Sequence, residues 1–94
     1  MGMYFKPTIY NVTLANANSE YSQALPADCR KVQISARAAG GDIKLAFVAN
    51  DSGVNFVTIP VGQTYSVENI YLEGATLYMQ TPTPGVVVEI LAFS

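Results

Sequence analysis

The sequence predicts an all-β protein, an antiparallel β-sandwich of seven or eight short strands with a jelly-roll or related Greek-key topology. Short runs in which apolar and polar residues alternate recur along the chain, and turn residues separate them about every eight to twelve positions. No stretch of about eleven residues or more keeps the 3.6-residue period of an amphipathic helix. The 94 residues make one domain, with the sandwich over residues 9–94 and an arm or edge segment over residues 1–8.

A short strand is predicted on each side of the first turn. Residues 9–14 alternate between a mostly polar face and an apolar face, and the Asn-Ala-Asn-Ser cluster at 16–19 forms a turn. Residues 20–25 form the second strand, which Pro26 ends because proline cannot donate a ladder hydrogen bond.

The strongest pairing signal lies in residues 31–49, where the alternation predicts a β-hairpin around the Gly-Gly pair at 40–41. Loops of two or four residues give the same register, and every apolar residue then meets an apolar partner. This register sets Ala38 opposite Ile43, Ala36 opposite Leu45 and Ile34 opposite Phe47. The small alanines leave room above the hairpin, which predicts a second layer packed on it.

The second half continues with short extended segments at 54–59, 63–67 and 70–72. A last antiparallel pair is predicted between residues 75–80 and 86–93, joined by the proline-rich segment 81–85. With an even number of loop residues, or with a bulge, this pair sets Leu77 and Met79 opposite Ile90 and Val88, whereas a five-residue loop without a bulge sets Leu77 opposite Glu89.

The segment 86–93 is apolar on both faces, interrupted by Glu89 alone, which predicts that a neighbouring subunit or the N-terminal arm covers its second face. The strand pattern also predicts which side chains fill the core. The candidates are Ile34, Leu45, Phe47, Leu77, Val88 and Ile90.

Composition narrows the class of function. Charged residues make up 13% of the chain, against about 25% in an average globular protein, and the net charge is −2. This balance argues against a nucleic-acid surface, which needs clustered Lys and Arg. The single cysteine allows no internal disulfide, and no apolar run approaches the roughly eighteen residues of a membrane helix. We expect a soluble protein made in a reducing cytoplasm, with no membrane partner.

No candidate catalytic site emerges from the sequence. The chain has no histidine, which excludes Ser-His-Asp and Cys-His arrangements and removes the commonest metal ligand. Cys29 is expected to be a buried structural thiol, and Asp51 in Asn-Asp-Ser-Gly a turn former that binds its own backbone. The sequence therefore predicts no enzyme, no metal site and no cofactor.

Six tyrosines and an apolar C-terminal strand point instead to a protein interface, since tyrosine combines a broad apolar ring with a polar tip. Tyr71 and Tyr78 could also stack on a sugar, but a chain without tryptophan favours the interface. The candidate interface residues are Tyr4, Phe5, Tyr71, Tyr78, Leu91 and Phe93.

Residues 20–90 carry a series of motifs: a Tyr-Ser strand, Leu-Pro-Ala, Ile-x-x-Arg, Lys-Leu-Ala-Phe, Ile-Pro-x-Gly-x-x-Tyr, Thr-Leu-Tyr-x-Gln and Val-Val-Glu-Ile. In this series the chain resembles small β-sandwich virion proteins of tailed bacteriophages. The resemblance implies a virion component of the head decoration or cement type, and it leaves residues 1–16 outside.

Two alternative functions are therefore expected. The first is a capsid decoration protein that binds the major capsid protein at the virion surface, forms a symmetric homo-oligomer, by resemblance a trimer, and stabilises the head without chemistry. The alternative is a host-facing module that binds a glycan or a cell-surface protein through loops at one end of the sandwich. Short loops favour the first function.

Overall fold

The computed structural model describes residues 7–37, 41–68 and 75–93, and these residues form eight β-strands. The all-β prediction is confirmed. The strands are β1 (Thr8–Leu14), β2 (Tyr21–Ala24), β3 (Lys31–Ala36), β4 (Ile43–Ala46), β5 (Val57–Ile59), β6 (Thr64–Glu68), β7 (Thr76–Gln80) and β8 (Val86–Phe93). The extended piece expected at 70–72 and residues 1–6 of the expected arm lie outside the described residues.

The strands form two four-stranded antiparallel sheets, in the orders β1-β8-β3-β6 and β2-β7-β4-β5. We call them the first sheet and the second sheet. The chain passes from one sheet to the other at every step except β4 to β5, which are neighbours in the second sheet. This order is that of a jelly roll, one of the two topologies that the sequence predicts.

The predicted hairpin over residues 31–49 is wrong, because β3 and β4 lie in different sheets. Ile34 of β3 is opposite Tyr65 and Ile90, whereas Leu45 of β4 is opposite Val57 and Met79. The alternating pattern determines which face of each strand is apolar. Two strands that face each other across a core show the same pattern as two strands paired in one sheet, so the pattern does not determine which strands pair. Ala38 and Gly40 lie outside the described residues.

The predicted last pair is wrong for the same reason. β7 pairs with β2 and β4, while β8 pairs with β1 and β3. Leu77, Met79, Val88 and Ile90 are all buried in one core cluster, to which the two sheets contribute their inner faces. The proline-rich segment 81–85 suits a crossing between sheets, since no ladder needs its missing N–H groups.

The core prediction is confirmed for five of its six residues: Ile34, Leu45, Leu77, Val88 and Ile90 are at most 1% exposed. It is wrong for Phe47, which is 41% exposed. The alternation would point Phe47 inward if β4 continued, but β4 ends at Ala46 and the chain bends at residues 47–48. Phe47 therefore belongs to a loop, where its ring faces solvent.

The outer face of β8 is half-buried along its whole length. Its two neighbours, β1 and β3, flank it in the first sheet and reduce the exposure of its outward side chains without covering them. The described residues place no second layer on this face, so its cover by a subunit or an arm remains a prediction.

We expect Ile34→Ala to lower the free energy of unfolding by about 2–5 kcal/mol, because it opens a cavity between the sheets. Phe47→Ala should cost about 1–2 kcal/mol, since part of its ring is already in water. Urea unfolding of both variants, followed by circular dichroism, measures the two losses. Equal losses would place Phe47 in the core after all.

Candidate functional site

Of the three predicted interface residues that the structure describes, Leu91 and Phe93 share one face and Tyr78 lies on the other sheet. Tyr78 lies on the outer face of the second sheet, between Ser22 and Ala46, whereas Leu91 and Phe93 lie on the outer face of the first sheet. All three predicted residues are half-buried. The remaining candidates, Tyr4, Phe5 and Tyr71, lie outside the described residues.

A different apolar surface stands out along the β5 edge of the second sheet. It consists of large apolar side chains in the β4–β5 loop, in β5 and just after it, and we call it the apolar edge. Val54 is 78% exposed and Val48 60% exposed. The members of the apolar edge are Phe47, Val48, Val54, Phe56, Val57 and Val61. Sequence reasoning missed this surface because it placed Phe47 in the core and residues 54–59 in one continuous strand.

The β4–β5 loop, residues 47–56, is held against the sheet by a polar network. The carboxylate of Glu20 accepts hydrogen bonds from the backbone N–H of Asn50 at 2.8 Å, and from both the N–H and the hydroxyl of Ser52. The side chain of Gln80 donates to the Ser52 hydroxyl oxygen at 2.9 Å. Ser52 is fully buried although it is polar, and its hydrogen bonds with Glu20 and Gln80 replace those that it would make with water.

The loop also has its own turn. The N–H of Asp51 donates to the carbonyl of Val48, and the left-handed φ of Asn50, 70°, suits an asparagine in that position. The predicted turn at Asn-Asp-Ser-Gly is therefore confirmed. The carboxylate that binds its backbone N–H groups is that of Glu20, where the sequence analysis expected the carboxylate of Asp51.

This network shifts the titration of Glu20. The hydrogen bond from the Ser52 hydroxyl lowers the pKa of the Glu20 carboxyl below its ordinary value of 4.5. Partial desolvation opposes the shift, and the backbone N–H groups of Asn50 and Ser52 support it. The ionised form of Glu20 is thus the one that holds the loop.

The far end of the apolar edge is held by Asp42. Its Oδ1 accepts a hydrogen bond from the N–H of Val61 at 3.0 Å. Val61 lies in a tight turn closed by the Gln63 N–H and the Pro60 carbonyl, in which Gly62 takes a φ of 79°. A side chain at Gly62 would be strained there, so this glycine helps to fix the position of Val61.

Cys29 is buried, as predicted for a structural thiol. Burial raises the pKa of the Cys29 thiol, and its Sγ lies 3.4 Å from the carbonyl oxygen of Lys31 as a weak donor. A buried thiol with a raised pKa is a poor nucleophile.

In the described ranges, no three metal-ligating side chains come together. The same ranges hold no helix of the length and apolarity that crossing a membrane requires. Two of the carboxylates, those of Glu20 and Asp42, accept backbone hydrogen bonds that hold loops.

Comparison with protein-family models gives no match, and no curated protein is similar enough in sequence to count as a relative. Solved structures share the fold. A de novo designed double-stranded β-helix is 15% identical over 95% of this chain and 99% of that chain, with a TM-score of 0.57. A Bacillus endospore appendage protein, described as one of a family of disulfide-linked pili, is 11% identical over 96% of this chain and 84% of that chain, with a TM-score of 0.53.

HppE, crystallised with Co(II) and Tris buffer, is 16% identical over 94% of this chain, with a TM-score of 0.53. The match covers 44% of the HppE chain, so this protein spans less than half of its length. At these identities the similarities show the jelly-roll fold alone.

We expect the network around Glu20 to make stability depend on pH. The folded pKa lies below the unfolded one, so the stabilisation is complete above about pH 4.5 and is lost as the pH falls through the lower folded value. Thermal unfolding at a series of pH values should show this loss in the wild type and a smaller one in Glu20→Gln. Glu68→Gln, which removes a carboxylate paired with Lys31 on the first sheet, should keep the wild-type loss. An unchanged pH profile in Glu20→Gln would contradict the role of the network.

Burial predicts that the Cys29 thiol is protected in the folded protein. Its reaction with Ellman's reagent at pH 8 should be slow under native conditions and should reach the rate of a free thiol in denaturant. Fast reaction of the native protein would show that the segment around Cys29 opens readily.

Proposed function

We propose that this protein is a non-enzymatic structural protein of a tailed-phage virion, a decoration or cement protein that stabilises the head through contacts with the major capsid protein. The apolar edge is the observation that carries the proposal. Monomeric proteins rarely expose several large apolar side chains in one region unless that region binds a partner. The resemblance of residues 20–90 to phage virion proteins supplies the identity of the partner.

The way in which the apolar edge is held supports a role in binding. Hydrogen bonds from the Glu20 network hold its loop part, and Asp42 holds the turn that carries Val61. A surface that is ordered before binding loses less conformational entropy in the complex. The apolar edge is therefore suited to firm and permanent contacts.

The edge strand itself favours contact through side chains. β5 has three residues, and Pro60 follows it directly. A strand this short, ended by proline, offers little ladder for a second strand to extend. The partner would instead pack on the apolar side chains, with the ammonium of Lys44, 5.1 Å from the centre of the Phe56 ring, as a charged neighbour.

The absence of histidine from the chain supports a function without chemistry. The carboxylates of Glu20 and Asp42 hold loops, and the thiol of Cys29 is buried. Stabilisation of a shell needs none of these groups as catalysts, because many modest contacts repeated over a symmetric surface add up through avidity.

The direct test adds the purified protein to phage particles that lack it and then heats them. We expect saturable binding and a higher temperature of genome release. Val48→Ser/Val54→Ser should bind at least about tenfold more weakly, because two exposed apolar side chains lose their contact area. Ile9→Ser removes an equally exposed apolar residue from the other sheet and should bind as the wild type does.

Two outcomes would contradict the proposal. Absence of binding to heads, together with binding to host cells, would support the host-facing module instead. Equal binding by the double variant and the wild type would show that the apolar edge is not the contact surface.

The proposal includes a symmetric homo-oligomer, with a trimer favoured by the resemblance to phage proteins. Light scattering on the purified protein at micromolar concentration should give a mass of about three chains. A stable monomer would leave the capsid as the partner for the apolar edge and would remove self-association from the proposal.

A further inference from the structure

The outer face of the first sheet contains a depression of about 320 Å³, on the other sheet from the apolar edge. All four strands of the first sheet line it. Because neighbouring strands lie about 4.8 Å apart, a depression across four strands is about 14 Å wide. Its volume falls at the lower end of the range of small-molecule sites, about 300–1,000 Å³.

The strand register explains why the sheet is hollow at this point. One row across the sheet runs through Asn11, Glu89, Ser35 and Thr64, which are opposite one another on β1, β8, β3 and β6. Ser35 and Thr64 have short side chains and adjoin directly. Both residues line the depression, where their short side chains leave more space above the sheet than longer ones would.

The second row supplies apolar surface beside an amide. Ile9 is opposite Leu91, and Leu91 is opposite Gln33 on the other side. Ile9 is 67% exposed and is the second residue of the edge strand β1. The depression therefore has aliphatic carbon at one end of this row and a primary amide at the other.

The charges of this face balance one another. Arg37 Nε lies 2.9 Å from Glu89 Oε2, and Lys31 Nζ lies 3.5 Å from Glu68 Oε2. Arg37 Nη2 also lies 3.4 Å from Asn11 Oδ1. A phosphate or another anion would have to compete with the carboxylates for these cations, so the face favours a neutral ligand.

Uncharged hydrogen-bonding groups line the depression on its β3 and β6 side. Within the described residues, no side-chain hydrogen bond involves Gln33, Ser35 or Thr64. An amide and two hydroxyls can each donate and accept. Such groups, next to the aliphatic surface of Ile9 and Leu91, match a sugar ring, which has hydroxyls at its rim and C–H groups on its faces.

We propose that this depression binds a neutral saccharide. The Gln33 amide and the hydroxyls of Ser35 and Thr64 bind the sugar hydroxyls, and Ile9 and Leu91 pack against the C–H face of the ring. Glu89 borders the site and accepts from a sugar hydroxyl, and its carboxylate neutralises the charge of Arg37, so the pair does not attract anions. The site lies on the other sheet from the apolar edge, so it does not depend on the proposed capsid contact; a saccharide here takes the place of the subunit or arm that the sequence predicted over β8.

The test is affinity electrophoresis in native gels that contain dextran, laminarin, xylan or galactomannan, together with a printed array of neutral glycans. We expect at least one of these probes to retard the wild type, and the retardation to persist at high salt because no net charge is involved. The variant Gln33→Ala/Ser35→Ala should bind at least about tenfold more weakly, through the loss of two hydrogen-bonding side chains.

The matched control is Gln63→Ala/Ser22→Ala, which makes the same two substitutions in the β5–β6 turn and on the outer face of the second sheet. It should bind as the wild type does. Circular dichroism establishes that both variants fold. No binding to any probe would overturn the proposal, as would equal weakening in both variants or binding that salt abolishes. A cross-link between this face and a second copy of the chain, without saccharide binding, would also overturn it and would assign the depression to an assembly contact.

Discussion

The packing of the two sheets through their inner faces is the constraint on which the rest of the structure depends. The central strands of both sheets must each present an unbroken apolar row inward, and β8 does so over its whole length, with every second residue buried. β3 has the same pattern over six residues, and Ala36 and Ala92 lie at opposite ends of this part of the core. Once these rows are packed, polar residues are confined to the outer faces and the loops, where any binding must take place.

The sequence predicted the strands and their inward faces well, and it predicted their partners poorly. Alternation depends on one strand at a time, so β8 could be placed correctly without knowing its neighbours. Pairing depends on how the chain crosses between sheets. The same alternation of apolar residues is compatible with two strands paired in a hairpin and with two strands in opposite sheets. The false hairpin around residues 40–41 follows from this ambiguity, whereas the wrong burial of Phe47 follows from the end of β4 at Ala46.

The candidate sites were harder to predict, because each is made by residues far apart in the chain. Glu20 binds a loop that lies thirty residues further on, and its sequence neighbours give no sign of that contact. The depression needs Asn11, Ser35 and Thr64 in one row, which only the register of four strands creates. The apolar edge could be predicted in part. The sequence shows its valines and phenylalanines, but their exposure depends on where β4 ends.

The three polar side chains that hold the β4–β5 loop affect which positions of this protein can tolerate substitution during evolution. Glu20, Ser52 and Gln80 hold the loop on its inner side through hydrogen bonds. Its exposed residues, such as Val48 and Val54, therefore contribute little to the stability of the fold. Mutation can therefore vary those positions at small cost in stability, as surface substitutions usually allow. Substitutions in the apolar edge and substitutions in the core can therefore accumulate independently, so related proteins with this fold could differ at the edge while their cores stay the same.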